Sequence, residues 1–188
     1  MFRRPLDDPQ AVARYATPTI ANILATRFGD PSQASDLARL KTKLLIDAIV
    51  PVPLVPGAAE FLGAMHARGV PTGIASNASS PFIRAVLAQH GLEVGVVIGR
   101  TDAARSKPHP DVFLECARRL GVASDERAGV FAFDDAPHGI KAAIAAGVQA
   151  IGISTGHSPE ELLDAGAQVT CADLAEALSH MACQAQEG

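Results

Sequence analysis

The chain has 188 residues, 48% of them hydrophobic and 19% charged, with a formal net charge of −4. That is enough for one good core, or a core with a small appendage. It excludes a basic nucleic-acid surface, because Lys and Arg are scattered rather than striped, and aromatics at 4% exclude a base-stacking platform.

No run nears the length of apolar chain that a membrane helix needs, and the opening MFRRPLDDPQ has basic residues with no apolar stretch behind them, unlike a signal peptide. Cys116, Cys171 and Cys183 show no C-x-x-C spacing. This argues against zinc and against a disulfide framework, and for a reduced, cytoplasmic setting.

Residues 1–8 are polar. From Pro9 to Phe28, the positions Val12, Ile20, Ile23, Leu24 and Phe28 suggest one or two helical segments broken at Thr17-Pro18, and Gly29-Asp30-Pro31 is a stop. Leu37, Leu40, Leu44, Leu45 and Ile49 predict a second helix from Ser32 to about Val50. Residues 1–50 therefore read as a separate helical piece. The run Pro51-Val52-Pro53-Leu54-Val55-Pro56-Gly57 reads as a stiff linker, since its prolines forbid helix and remove ladder donors.

From residue 58 to 188 strands and helices alternate. Helices are predicted at 58–68 (closed by Gly69), 81–90 (Pro81 as N1, closed by Gly91), 110–120 (closed by Gly121) and 138–146 (ended by Gly147). Two more follow at 158–165, where Ser158-Pro159-Glu160-Glu161 reads as a capping box, and at 172–182. The strands are 70–75, 94–98, 130–133, 148–153 and 168–170. This alternation means βαβ units and a doubly wound, parallel α/β sheet, a Rossmann-like core.

The centre of the pattern is VFAFDDAPHGIKAAIAAG, 130–147. A continuous apolar run is the mark of a buried parallel strand, and ligands gather at the carboxyl ends of such strands. Asp134 and Asp135 side by side there would repel unless a cation sits between them. Hard oxygen donors on a short turn suit Mg²⁺. The plainer reading is a helix start with Asp135 as cap and Asp134 in solvent. Two more strand ends offer polar groups at the same edge. Ser76-Asn77, with backbone N–H groups ahead of a helix, are donors for phosphate oxygens, and Lys107 supplies a compact positive charge for a phosphoryl group. Read singly, Ser-Asn is an ordinary cap and Lys107 a solvated loop residue.

IASNAS (74–79), RSKPHPDVFLECARRLGV (105–122) and VFAFDDAPHGIKAAIAAGVQAIGIS (130–154) resemble the second, third and fourth motifs of the haloacid dehalogenase-like hydrolases. The similarity is greatest to the branch holding phosphoglycolate phosphatases and β-phosphoglucomutase, which carries a helical cap. It covers about residues 55–180. It implies that 1–50 is the remnant of a cap, 51–57 its hinge and 58–188 the core. It also implies phosphoryl transfer through an aspartyl-phosphate, with Ser76 and Asn77 binding phosphate, Lys107 holding nucleophile and phosphate, and Asp134 and Asp135 binding Mg²⁺. The substrate would be a small phosphorylated metabolite, with neither nucleic acid nor membrane as partner.

One part of the family pattern is missing. The family opens on an apolar strand running into D-x-D-x-(T/V), and no D-x-D occurs in these 188 residues. In the family that strand lies between the one ending at Ser76 and the one ending at Asp134. Without it, two buried strand edges would lie open, each unpaired group costing roughly 1–3 kcal/mol. Three expectations follow: an N-terminally shortened form of a longer phosphatase, a non-catalytic relative that binds phosphate and Mg²⁺ as a regulatory module, or a strand donated by another chain in an oligomer. The intact phosphate and metal residues favour the first.

His109, His138 and His157 lie in loops near this site, and Cys116 on the apolar face of its helix reads as core.

Overall fold

A computed structural model of the chain describes residues 34–47 and 52–184. Its helices are α1 (Ala34–Asp47), α2 (Ala58–Ala67), α3 (Ser80–Gln89), α4 (Asp111–Leu120), α5 (Pro137–Ala145), α6 (Pro159–Asp164) and α7 (Leu174–Gln184). The strands are β1 (Gly73–Ala75), β2 (Val96–Ile98), β3 (Phe131–Asp134), β4 (Gln149–Ile153) and β5 (Val169–Cys171). The first helical segment read from the sequence lies outside the described residues.

Helices and strands alternate as the periodicity requires, and the predicted glycine stops all take left-handed backbone: φ is 66° at Gly69, 63° at Gly91, 82° at Gly121 and 79° at Gly147. The Ser158 capping box forms, with Ser158 Oγ accepting from Glu161 N at 3.3 Å and Ser158 N donating to Glu161 Oε2 at 2.9 Å. Several boundaries move. β1 begins at Gly73 rather than residue 70, because Pro71 has no N–H to give a ladder. Ser80, not Pro81, opens α3, so Pro81 stands one position further in. The sequence reading missed two short 3₁₀ turns, at Arg100–Asp102 and Arg127–Gly129.

All strand pairs are parallel, but among the described residues they form two sheets rather than one. β1 pairs with β2, Gly73 opposite Val96 and Ala75 opposite Ile98. β3, β4 and β5 pair in that order, Asp134 opposite Gly152 and Ile153 opposite Cys171. Helices cover both faces of the larger sheet. On one face, Ile140, Ala143 and Leu162 of α5 and α6 bury Ala132 and Ala150. On the other, Phe61 and Met65 of α2 and Ala177 of α7 bury Ile151 and Ile153. The smaller sheet has a thinner core of Ile98, Val112 and Cys116. Phe113 of α4 packs against both that core and the α5 face of the larger sheet, so one helix spans the break. The chain passes from β2 to β3 through α4, from β3 to β4 through α5 and from β4 to β5 through α6.

The Pro-rich stretch 52–57 forms neither helix nor strand. It is tied to the core by a 2.7 Å contact between Val52 O and His90 Nε2 and by Leu174 N donating to Pro56 O. α1 rests against α3, with Ser79 Oγ and Thr42 Oγ1 at 3.5 Å.

Candidate active site

Three strand ends meet. Lys107, in the loop after β2, places Nζ 2.6 Å from Asp134 Oδ2 at the end of β3, and the two side chains are only 9% and 8% exposed. The ammonium also lies 4.7 Å from the centre of the Phe113 ring, a cation–π contact. A buried lysine and a buried aspartate each hold a charge that the other compensates. The plainer readings of both residues therefore fail: Lys107 is not a solvated loop lysine, and Asp134 is not in solvent.

Asp134 Oδ1 accepts from Ala136 N at 3.1 Å, and a Cβ at Gly139 would land on this carboxylate, so the first turn of α5 approaches as closely as glycine allows. The cap position of α5 is Ala136, not Asp135. Asp135 is exposed. Its carbonyl lies 3.0 Å from His157 Nδ1, and the turn at Gly156 comes up against its carboxylate. His109 is exposed in its loop, whereas His138, read from the sequence as a loop residue, is exposed in the first turn of α5.

Ser76 and Asn77 follow β1. Ser76 Oγ accepts from Ala78 N at 3.1 Å, which leaves its hydroxyl proton to donate. Asn77 serves Lys107: its Oδ1 accepts from Lys107 N at 3.0 Å and its Nδ2 reaches Lys107 O at 3.5 Å. Neither residue caps α3, whose cap position is Ser79. The Asn77 side chain thus fixes the lysine loop to the end of β1.

A clamp beneath this loop was not foreseen from the sequence. Gly99 N donates to Asp102 Oδ2 at 2.8 Å and to Ser80 Oγ at 3.1 Å, the Ser80 hydroxyl also donates to Asp102, and Arg100 N donates to Ala78 O at 2.8 Å. A side chain at Gly99 would strike the backbone of Ala78 and Ser80. Burial pushes the Asp102 carboxyl up, but the Ser80 hydroxyl, the Gly99 N–H and the charges of Arg119 and Arg84 outweigh it and hold the pKa below its ordinary value. The visible signal was a glycine and an aspartate three apart straight after an apolar strand.

Among the described residues no group of three or more His, Cys, Asp or Glu side chains stands together. The donor set at the strand ends is two carboxylates, which fits an ion that takes one or two carboxylates and fills its other positions with water and phosphate, as Mg²⁺ does. It does not fit zinc, which wants nitrogen or sulfur donors. Cys116 is buried in the thinner core, and burial pushes its thiol up to about 11. No helix among the described residues is long and apolar enough to cross a membrane.

Known proteins are similar to this chain in sequence and fold. Phosphoglycolate phosphatase of Escherichia coli (strain K12) is 36% identical over 115 residues, 59% of this chain and 44% of the relative. The same enzyme of Salmonella typhi is 35% identical over 114 residues, 58% and 43% of the two chains. The chain thus spans less than half the length of these curated relatives. Among solved structures, CbbY from Rhodobacter sphaeroides in complex with phosphate superposes with a TM-score of 0.73 at 25% identity, covering 90% of this chain and 80% of that one. A β-phosphoglucomutase from Clostridium difficile, at 21% identity and a TM-score of 0.65 over 83% of this chain and 70% of its own, shares the fold. The profile of the haloacid dehalogenase-like hydrolases matches residues 12–147, a span that holds Ser76, Lys107 and the acid pair, and the chain belongs to that family.

Proposed function

We propose that these residues are the phosphate- and metal-binding part of a Mg²⁺-dependent phosphatase acting on a small phosphorylated metabolite. The observation that carries this reading is the buried Lys107–Asp134 pair, clasped to Ser76-Asn77 by the amide of Asn77. A buried ion pair is weak as a device for stability. Four polar residues from three strand ends at one mouth are what an anionic substrate with a cation would need.

In this reading the Ser76 hydroxyl and the Asn77 N–H donate to phosphate oxygens. Lys107 adds positive charge beside them while orienting Asp134. The exposed carboxylate of Asp135, with the unshared lone pairs of Asp134, holds Mg²⁺, which when bound neutralises charge on the phosphate. Residues 1–50 are the cap that shapes specificity, 51–57 its hinge and 58–188 the core. The setting is cytoplasmic, in keeping with unpaired, buried Cys116 and Cys171. The nucleophilic carboxylate lies outside the 188 residues, which contain no D-x-D.

That same absence favours a second reading, a non-catalytic relative that binds phosphate and Mg²⁺ as a regulatory module. Hydrolysis of p-nitrophenyl phosphate, with and without Mg²⁺ and with Asp135→Asn as control for contaminating phosphatase, separates the two. Turnover that appears once a D-x-D strand is fused ahead of the chain, and that the Asp135→Asn control abolishes, supports the phosphatase. Saturable phosphate binding with no turnover, even when a D-x-D strand is fused ahead of the chain, supports the module.

A further inference from the structure

The two acids at the end of β3 are held in different ways. Asp134 is fixed by bonds of its own: Lys107 Nζ donates to one oxygen at 2.6 Å and Ala136 N to the other at 3.1 Å. Among the described residues no hydrogen bond or ion pair holds the Asp135 carboxylate. What stands against it is a loop arriving from the neighbouring strand, β4.

That loop, residues 154–158, joins β4 to α6 and is pinned at both ends. Ser154 N and Ser154 Oγ both donate to Cys171 O, at 2.9 Å and 3.1 Å. Ser158 is locked to Glu161 in the cap of α6. Between these anchors, His157 and Gly156 meet Asp135. A carbonyl can only accept, so the 3.0 Å contact between His157 Nδ1 and Asp135 O makes the ring nitrogen the donor. A Cβ at Gly156 would stand 2.8 Å from Asp135 Oδ2, inside contact distance. Gly156 is not among the glycines with left-handed backbone, so its conformation does not demand glycine. The space left by the missing side chain is taken by the Asp135 carboxylate.

We infer that Gly156 and His157 are positioning residues for Asp135: the imidazole holds its backbone, and the bare Cα of Gly156 gives its carboxylate room to stay beside Asp134. The inference rests on the phosphatase reading, in which Asp135 holds Mg²⁺, and supplies what orients a carboxylate with no bond of its own. Groups behind a metal ligand fix its direction, and losing one commonly lowers metal affinity about 10–100-fold. The two residues act by different means. An alanine at 156 meets first the far end of a side chain that can rotate, so it displaces the carboxylate at little cost in stability. Replacing His157, which is exposed, removes one bond to the Asp135 backbone and leaves no cavity.

The test titrates the 188-residue chain with Mn²⁺, which takes the same oxygen donors as Mg²⁺. Free Mn²⁺ is read by electron paramagnetic resonance, and Mg²⁺ competition checks that both ions share the site. The chain should bind Mn²⁺ saturably, and Asp135→Asn should lose that binding. Gly156→Ala and His157→Ala should each weaken it about tenfold or more. His157→Asn, whose amide N–H can stand in for Nδ1–H, should stay within about threefold of the parent. Melting temperatures of these variants should fall by no more than about 2 °C. Parent affinity in Gly156→Ala or in His157→Ala overturns the role of that residue, and so does weakened binding that comes with a larger fall in melting temperature. Equal weakening in His157→Asn and His157→Ala overturns the part given to the bond. In these cases the loss seen in Asp135→Asn leaves the metal reading standing. No saturable binding by the parent, or binding that Asp135→Asn keeps, sinks the metal reading and this inference with it. Should Gly156→Ala fail to fold, the His157 pair decides alone.

Discussion

The two halves of the sheet are built to different standards. The half made of β3, β4 and β5 is covered on both faces, and Ile140 and Leu162 are wholly buried in it. The half made of β1 and β2 has two three-residue strands, a thin core around Ile98 and Val112, and an exposed Gly73 at its open edge. Yet the thinner half carries Ser76, Asn77 and Lys107, while the thicker one carries the acid pair. The site therefore straddles a seam. Its geometry depends on what crosses that seam: the Lys107–Asp134 pair above and Phe113 below.

The sharpest way to break this comparison is Lys107→Met, which leaves the Asp134 carboxylate buried without its cation and should cost about 4 kcal/mol in urea unfolding. The double variant Lys107→Met with Asp134→Leu should regain most of that loss, since both charges go together. Strict additivity of the two would show that the pair does not couple the halves. Next, equal truncations should be unequally felt: Ile140→Ala should cost about 4 kcal/mol and Ile98→Ala about 2 kcal/mol, because the thinner core can collapse around the gap. Equal losses would erase the distinction between the halves.

A smaller effect is expected at the clamp. Gly99→Ala forces a Cβ against Ala78 and Ser80 and should cost about 1–2 kcal/mol. The faster amide exchange it causes should be confined to residues 76–80 and 99–102. The smallest effect concerns acid. Arg118 and Arg119 hold the exposed Glu115 carboxyl down at about 2, from an ordinary value of 4.5. A carboxyl with a depressed folded pKa stabilises above its unfolded value, and that contribution fades as pH falls through the folded one. Stability should thus decline from about pH 4.5 toward about pH 2. Glu115→Gln should flatten that decline slightly, and raised salt should do the same. An unchanged slope in the Gln variant would assign the acid sensitivity elsewhere, Asp102 being next in line.

Much of this was legible in the sequence. Glycine stops, the Ser158 box and the apolar run before Asp134 are local signals, each needing only a few neighbouring residues, and they located the strand ends where Ser76, Lys107 and Asp134 meet. Strand starts were less legible: residues 70–72 look apolar enough, but Pro71 cannot donate to a ladder. Burial of Lys107 was invisible, because it depends on Phe113 and Asp134 arriving from elements that a linear reading cannot superpose. The Ser80–Asp102 clamp escaped for the same reason, its partners lying 22 residues apart. The role of the Asn77 side chain was also beyond a linear reading, since an amide looks alike whether it faces a phosphate or another loop's backbone.

Phe113 has a consequence for how the molecule comes apart. One aromatic ring shared by two cores is a mechanical joint, and it sets how far each half feels the melting of the other. If the joint is weak relative to the difference in core thickness, heating frees the β1–β2 half first and gives two transitions by calorimetry. Any molecule that bridges the seam draws free energy from both sides, so it raises the earlier transition toward the later one until they merge. Cooperativity itself then becomes a binding signal, readable without knowing what the ligand does.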